Sequence, residues 1–172
     1  MYMDKGLDTG DMILREETEI GENESFGELW ERLKKMSGPI LNKTVELIEK
    51  GEAPREKQGD EFTYAPMITP ETEKIDINDT AENIHNKVRG LSPTPAAFLL
   101  QSGKKLKIIK TLKTDRTGKT VGEVLVEKNR LYITAGDKKL LEVKRLKGEG
   151  SGEMDAASFI NGRKISDGEI LL

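Results

Sequence analysis

The apolar positions of this 172-residue chain fall into two textures. From Phe26 to Ile48 the large apolar residues Phe26, Leu29, Trp30, Leu33, Met36, Ile40, Leu41, Leu47 and Ile48, with Thr44, keep a 3.6-residue period. One face of a helix is therefore apolar along its whole length. Ser25-Phe26-Gly27-Glu28 reads as a capping box, in which the serine hydroxyl and the glutamate each take an orphan backbone N–H. The phase survives across Gly38-Pro39. This predicts one helix of about 24 residues, bent where Pro39 lacks an N–H, and Gly51 suits its C-terminal cap. Met12-Ile13-Leu14 opens a strand-like segment to about Ile20. A face of this length has to be buried against a sheet or other helices, and residues 1–24 offer too little to cover it.

From Ala96 onward the period shortens to two. Ala96–Leu100, Lys105–Leu112, Val121–Glu127, Arg130–Ala135 and Leu140–Leu146 read as five strands, separated by turn residues at Ser102-Gly103, Thr117-Gly118, Lys128-Asn129 and Gly136-Asp137. Five short, closely spaced strands predict a small barrel. Before them, Asp79 and Thr80 open a short helix to about Arg89, with Ile84 and Val88 on its buried side. After them, Met154–Asn161 reads as a short helix ended by Gly162, and Ile165–Leu172 as a terminal segment. Pro54, Gly59, Pro66 and Pro70 punctuate residues 52–70, which carry no clean period and read as an extended linker.

Composition sharpens this division. Hydrophobic residues are 35% and charged residues 34%, with a mean hydropathy of −0.58. No apolar run approaches the ~20 residues of a membrane span, and no basic start leads into an apolar stretch, so neither a span nor a signal peptide is expected. The chain has no cysteine, which excludes disulfides, thiolate metal sites and cysteine nucleophiles. Its single histidine, His85, leaves no His–His metal pair, and no metal is expected. The net charge of −3 is uneven. Residues 1–70 hold 9 basic and 16 acidic side chains, net −7; residues 71–172 hold 19 and 15, net +4. Between Lys104 and Lys147 the balance is 14 to 5. Two bodies with different partners are implied, the second suited to phosphate.

Few residues stand out for chemistry. Asp8-Thr9-Gly10 reads as a tight turn, or as a single catalytic carboxylate on a Gly-flanked loop that could orient or deprotonate an attacking amine. An aspartic-protease half-site fits poorly, because Asp11 and then a long helix follow. Gly118-Lys119-Thr120 lacks the glycine five residues upstream that a phosphate-binding loop requires. His85 is expected on the exposed or half-exposed side of its helix. Lys105, Lys107, Lys110, Lys113 and Lys119 are interleaved with Leu106, Ile108, Ile109 and Leu112. Strand alternation puts Lys105 and Lys107 on one face and Leu106 and Ile108 on the other. These lysines form either a solvated exterior or an electrostatic platform for an RNA backbone.

The stretch Met1-Tyr2-Met3-Asp4-Lys5-Gly6-Leu7-Asp8-Thr9-Gly10-Asp11-Met12 resembles the catalytic-aspartate loop of methionyl-tRNA formyltransferases. The long helix, Tyr64-Ala65-Pro66, Glu73-Lys74-Ile75-Asp76 and Arg89-Gly90-Leu91-Ser92-Pro93-Thr94-Pro95 follow in the family's order. The resemblance implies an α/β remnant plus a small β-barrel. Residues 1–51 would be the C-terminal remnant of a Rossmann-like formyltransferase domain, 52–70 a linker, and 71–172 an OB-like C-terminal barrel that binds tRNA. It implies Asp8 as the catalytic aspartate, 10-formyltetrahydrofolate as formyl donor, initiator methionyl-tRNA as acceptor, no metal, no membrane and a cytoplasmic setting. It implies a monomer for the full-length family, with self-association of the exposed helix as an expectation for this chain.

The family's asparagine, histidine and Ser-Leu-Leu-Pro folate loop have no counterpart here, and Ile77 and Thr94 stand where relatives commonly have tryptophan. The chain thus resembles an enzyme without its front half, and it is expected to be inactive alone. A stand-alone RNA-binding module and a fragment of a sugar-nucleotide formyltransferase are the alternatives.

Overall fold

The computed structural model describes residues 1–59 and 61–172. Of the linker expected over 52–70, Asp60 lies outside the described residues. The chain divides into two compact units, one of residues 1–22 and 28–67 and one of residues 23–27 and 68–172.

In the first unit, the chain runs from the loop around Asp8 into a single antiparallel bridge between Met12 and Glu56, closed by Met12 N–H to Glu56 O at 2.8 Å and the reverse bond at 3.0 Å. The strand expected over Met12–Ile20 shrinks to this bridge. Its remaining residues have no strand beside them among the described residues, and of them Ile13 alone is buried. Residues 18 and 19 are pinned instead by Arg32, which donates to the Thr18 hydroxyl and, at 2.6 Å, to the Glu19 carbonyl. Helix α1 (Phe26–Glu49) follows directly on Ser25 and runs unbroken through Pro39. The predicted length holds. No residue of α1 is buried: along its apolar face Leu29, Met36, Ile40 and Leu47 are half-buried, and Trp30 and Ile48 are about half exposed (53% and 50%). The α/β remnant expected here has its helix, but no sheet forms among the described residues of this unit.

The second unit is built on an antiparallel sheet. Helix α2 (Pro70–Glu73) starts from a Thr69–Thr72 capping box. Helix α3 (Ala81–Leu91) starts from Thr80, whose hydroxyl accepts the Asn83 N–H at 3.2 Å. Strands β1 (Ala97–Gln101), β2 (Lys104–Thr117), β3 (Val124–Glu127), β4 (Arg130–Thr134) and β5 (Lys139–Lys147) pair in the spatial order β1-β2-β5-β4-β3. A two-residue strand β6 (Met154–Asp155) adds to β5, and helix α4 (Ala156–Asn161) ends at Gly162. One face of the sheet carries Leu99, Leu106, Ile108, Leu131, Ile133, Leu141, Val143 and Leu146. These pack with Ile84, Val88 and Leu91 of α3 and Phe159 of α4 into one core.

The expected closed barrel does not form. Strands β1 and β3 stay unpaired with each other, and the sheet is open. Residues 168–172 run along both edges instead. Leu172 exchanges two backbone bonds with Leu100 at 2.5 and 3.0 Å; Leu171 N–H reaches Gly122 O at 2.9 Å, and Val124 N–H reaches Glu169 O at 2.8 Å. The edge groups are thus satisfied by an irregular segment, so neither strand needs the other.

His85 is also not where the pattern puts it. It is 1% exposed, with Nδ1 2.9 Å from the Thr111 hydroxyl of β2. Packing α3 flat on the sheet turns this polar position inward, and Thr111 supplies the hydrogen bond that makes burial tolerable.

Several carboxylates brace the helix starts. The Asn83 amide and the Thr80 N–H hold Asp79 below the usual carboxylate range. The Ser158 N–H, bound at 2.7 Å, does the same for Asp155 at the start of α4. Hydrogen bonding from Lys113 lowers Glu82. Groups whose folded-state pKa is depressed contribute stability above their unfolded values and lose it as pH falls through the folded ones. Acid titration should therefore leave helicity unchanged through the ordinary carboxylate range and reduce it below that range. Asp79→Ala should begin lower and lose less, as circular dichroism against pH would show.

Candidate active-site loop and basic face

Residues 2–11 form a loop closed at its base by Tyr2 N–H to Asp11 O, 2.8 Å. Asp8 sits near its tip, exposed, with φ at 56°. Aspartate is among the few residues that enter this left-handed region readily, because its short polar side chain meets little steric conflict there. Gly10 is buried, and a Cβ on it would overlap the Tyr2 carbonyl oxygen, so only glycine lets the two arms of the loop approach. Neighbouring side chains hold the loop from behind. The Arg55 guanidinium stacks 3.7 Å from the Tyr2 ring centroid and lies 3.4 Å from the Asp11 carboxylate. The Tyr2 hydroxyl donates to Ala53 O at 3.3 Å. The Gln58 amide donates to both Asp8 O and Gly10 O, each at 2.8 Å. Residues 53–58, which the pattern reads as plain linker, thus buttress the Asp8 loop.

The five candidate lysines separate by register. Lys105 is exposed and lies 4.2 Å from the Phe98 ring centroid. Lys107 pairs across the sheet with Phe98 on one side and Lys147 on the other, and its ammonium donates to Pro95 O at 2.7 Å. Lys110 is exposed and stands opposite Arg145. Register shifts on either side of Lys110 then change the parity of β2. Lys113 consequently pairs with core residue Leu141 and reaches the Glu82 carboxylate of α3 at 2.7 Å. Lys119 is exposed in the turn after β2. Lys105, Lys107 and Lys110 therefore face away from α3, while Lys113 serves it.

Lys147 and Arg145 complete this face, and single-strand patterning passes them over because only the β2–β5 register places them there. Their spacing within Lys144-Arg145-Leu146-Lys147 is the available sequence signal. Like charges placed directly opposite one another destabilise a sheet. Glu153, 2.5 Å from Arg145, offsets part of that cost. A separate cleft in this unit is lined by two acidic and two basic side chains, Glu71, Asp76, Lys74 and Lys87, and so offers no net field for an anion. No cluster of side chains suited to a metal occurs among the described residues, and no helix among them is long and apolar enough to cross a membrane.

Residues 67–164 match the family described as formyl transferase, C-terminal domain, and the chain belongs to that family. Methionyl-tRNA formyltransferase of Clostridioides difficile is 37% identical over 174 residues, covering 99% of this chain and 56% of that protein. The methionyl-tRNA formyltransferase of Clostridium beijerinckii is 39% identical over 173 residues with the same coverage. The chain thus spans about half the length of these relatives. Among solved structures, a variant of HypX from Aquifex aeolicus superposes with a TM-score of 0.69 at 14% identity, over 91% of this chain and 29% of that one. An N-formyltransferase of Helicobacter canadensis, solved with folinic acid and dTDP-3-aminofucose, superposes at 0.64 and 19%, over 82% and 52%. At such identities these two matches speak for the fold.

Proposed function

We propose that this protein works in formyl transfer from 10-formyltetrahydrofolate to the amino group of methionyl initiator tRNA, in the cytoplasm, at the start of translation. The observation that carries this reading is the 37% identity to a methionyl-tRNA formyltransferase over 99% of this chain, Asp8 loop included. Residues 1–51 belong to the formyltransferase domain, 52–70 connect it onward, and 71–172 hold the tRNA. The exposed face of α1 packs in this reading against the part of the formyltransferase domain that lies in the remainder of the relatives' length. The sugar-nucleotide alternative rests on fold likeness at 19–20% identity and is not favoured.

The methionyl amine has to lose a proton to attack the formyl carbon. Asp8 is an exposed carboxylate on a braced loop, suited to accept a hydrogen bond from that nitrogen and to take or hold its proton. The folate donor supplies the activated formyl group, and no residue of this chain is assigned to its pocket. The basic face of β2 and β5 offers Lys105, Lys107, Lys110, Lys119 and Lys147 to phosphates, largely without regard to base sequence.

Binding of methionyl-tRNA by the 172-residue chain across a salt series tests this reading. Affinity that falls steeply as salt rises supports it. No binding at low salt, or a response indifferent to salt, contradicts it.

A further inference from the structure

Gln58 lies 50 residues from Asp8 in sequence, yet its amide nitrogen donates to the carbonyl oxygens on both sides of Thr9: Asp8 O and Gly10 O, each at 2.8 Å. A primary amide carries two N–H donors on one nitrogen, and this geometry uses both. The contact therefore fixes two peptide planes relative to each other, where a hydroxyl or a single amide could fix one. Both planes follow Asp8, the first of them starting at the Asp8 Cα, whose φ is 56°. Aspartate enters that region more readily than most residues, yet it remains a minority conformation, so contacts from outside the turn help to hold it there.

We infer that Gln58 is a positioning residue for Asp8: its amide clamps the loop in the left-handed turn and so fixes where the Asp8 carboxylate is presented. The functional half of this inference rests on the reading of Asp8 as the group that meets the substrate amine. The clamp itself stands on geometry. The other braces have different tasks. Tyr2 N–H to Asp11 O and the Met12–Glu56 bridge close the base of the loop, and Arg55 bridges Tyr2 and Asp11. None of them touches the carbonyls beside Thr9 in the way Gln58 does. A carbonyl-rich turn with no donor opposite it would be free to flip its peptide planes, carrying the carboxylate with them.

The conservative variant offers a signature that a generic packing role would not. In Gln58→Glu at neutral pH the side chain has lost both donors and sets a negative charge against two carbonyl oxygens. Protonation at low pH returns one O–H donor. The clamp should then be partly restored by acid in this variant alone. Gln58→Leu keeps the bulk and has no donor at any pH.

The test is nuclear magnetic resonance of the 172-residue chain, reading the HN–Hα coupling and Cα shift of Asp8, which report its φ, with the Met12 and Glu56 amides as a check that the base of the loop is intact. The ratio of clamped to released loop should fall roughly thirtyfold in Gln58→Leu, the scale of two ordinary hydrogen bonds, while the Met12–Glu56 bridge persists. Gln58→Glu should resemble Gln58→Leu at neutral pH and move toward the wild type below about pH 4, past the ordinary glutamate pKa, when each is compared with wild type at the same pH. Wild-type φ signatures for Asp8 in Gln58→Leu, or no acid recovery in Gln58→Glu, would overturn the inference. The readout contains no substrate, so a failure of Asp8 as the reacting carboxylate would leave it unchanged, and the two failures stay distinct.

Discussion

Leu171→Asp should unfold residues 68–172 under conditions where the wild type is folded. Leu171 is fully buried, on the segment that lies along both open edges of the sheet. Leu171 belongs to the apolar core cluster that also holds Val124, Leu99 and Phe159, so a carboxylate there would sit in a hydrophobic setting. An unpaired buried charge costs about 3–5 kcal/mol, a large share of the roughly 5–15 kcal/mol that holds a domain together. The same substitution one residue on should cost little, since Leu172 is 64% exposed and contributes to the seam through its backbone. Gly122→Ala should act on the same seam from the other side. Its φ is +79°, and a Cβ would stand 2.5 Å from Leu171 O. Urea unfolding of the three variants checks this ordering. A Leu171→Asp midpoint near wild type would show that the segment is dispensable and that the edges satisfy themselves another way.

The reason this seam escapes a reading of the sequence lies in its irregularity. Five strands were legible because alternation marks them, and β1, β2, β4 and β5 begin within a residue or so of the predicted positions. A period-two pattern says which residues are strands and nothing about whether the first and last meet. Closure depends on residues 168–172, which have no alternation and carry their role in backbone bonds. The same limit applies to β2. Alternation predicts Lys105 and Lys107 correctly, but the shifts around Lys110 invert the parity, and Lys113 goes to Glu82 instead of to the outer face. His85 is buried because Thr111 waits opposite it, a pairing between residues 26 apart that no local pattern encodes. Helix α1 is the converse case. Its period was unmistakable, and, as the sequence implied, no residue along it is fully buried. Around Asp8, the loop itself was legible from Gly6, Gly10 and the turn-forming residues. Its buttress was not, because Arg55 and Gln58 sit among prolines and charges that look like a spacer.

If the proposed tRNA reading holds, removing the charges of the outer face should weaken binding, and it should do so in a way salt can diagnose. Lys105, Lys110, Lys119 and Lys147 are exposed; on β2, Lys105 stands opposite Leu100 of β1 and Lys110 opposite Arg145 of β5. Every phosphate neutralised by a lysine releases condensed counterion, so the slope of log affinity against log salt falls by about 0.7–0.9 for each contact removed. If all four lysines touch phosphate, the quadruple change to glutamine lowers the slope by about three. It also removes the corresponding roughly fifty- to 150-fold loss of affinity between 50 and 200 mM salt. Glutamine removes the charge with a side chain one atom shorter, which leaves Phe98 beneath position 105 partly covered. Lys113→Gln is the internal control. It removes one charge from the same strand, but from the side where α3 sits, and should break the Glu82 pair while leaving the salt slope as it was. A quadruple variant with the wild-type slope, or a Lys113→Gln variant that loses as much slope as any outer lysine, would place the tRNA elsewhere on the protein. The parity change at Lys110 decides the difference, because it assigns neighbouring lysines of one strand to opposite faces and so to different partners.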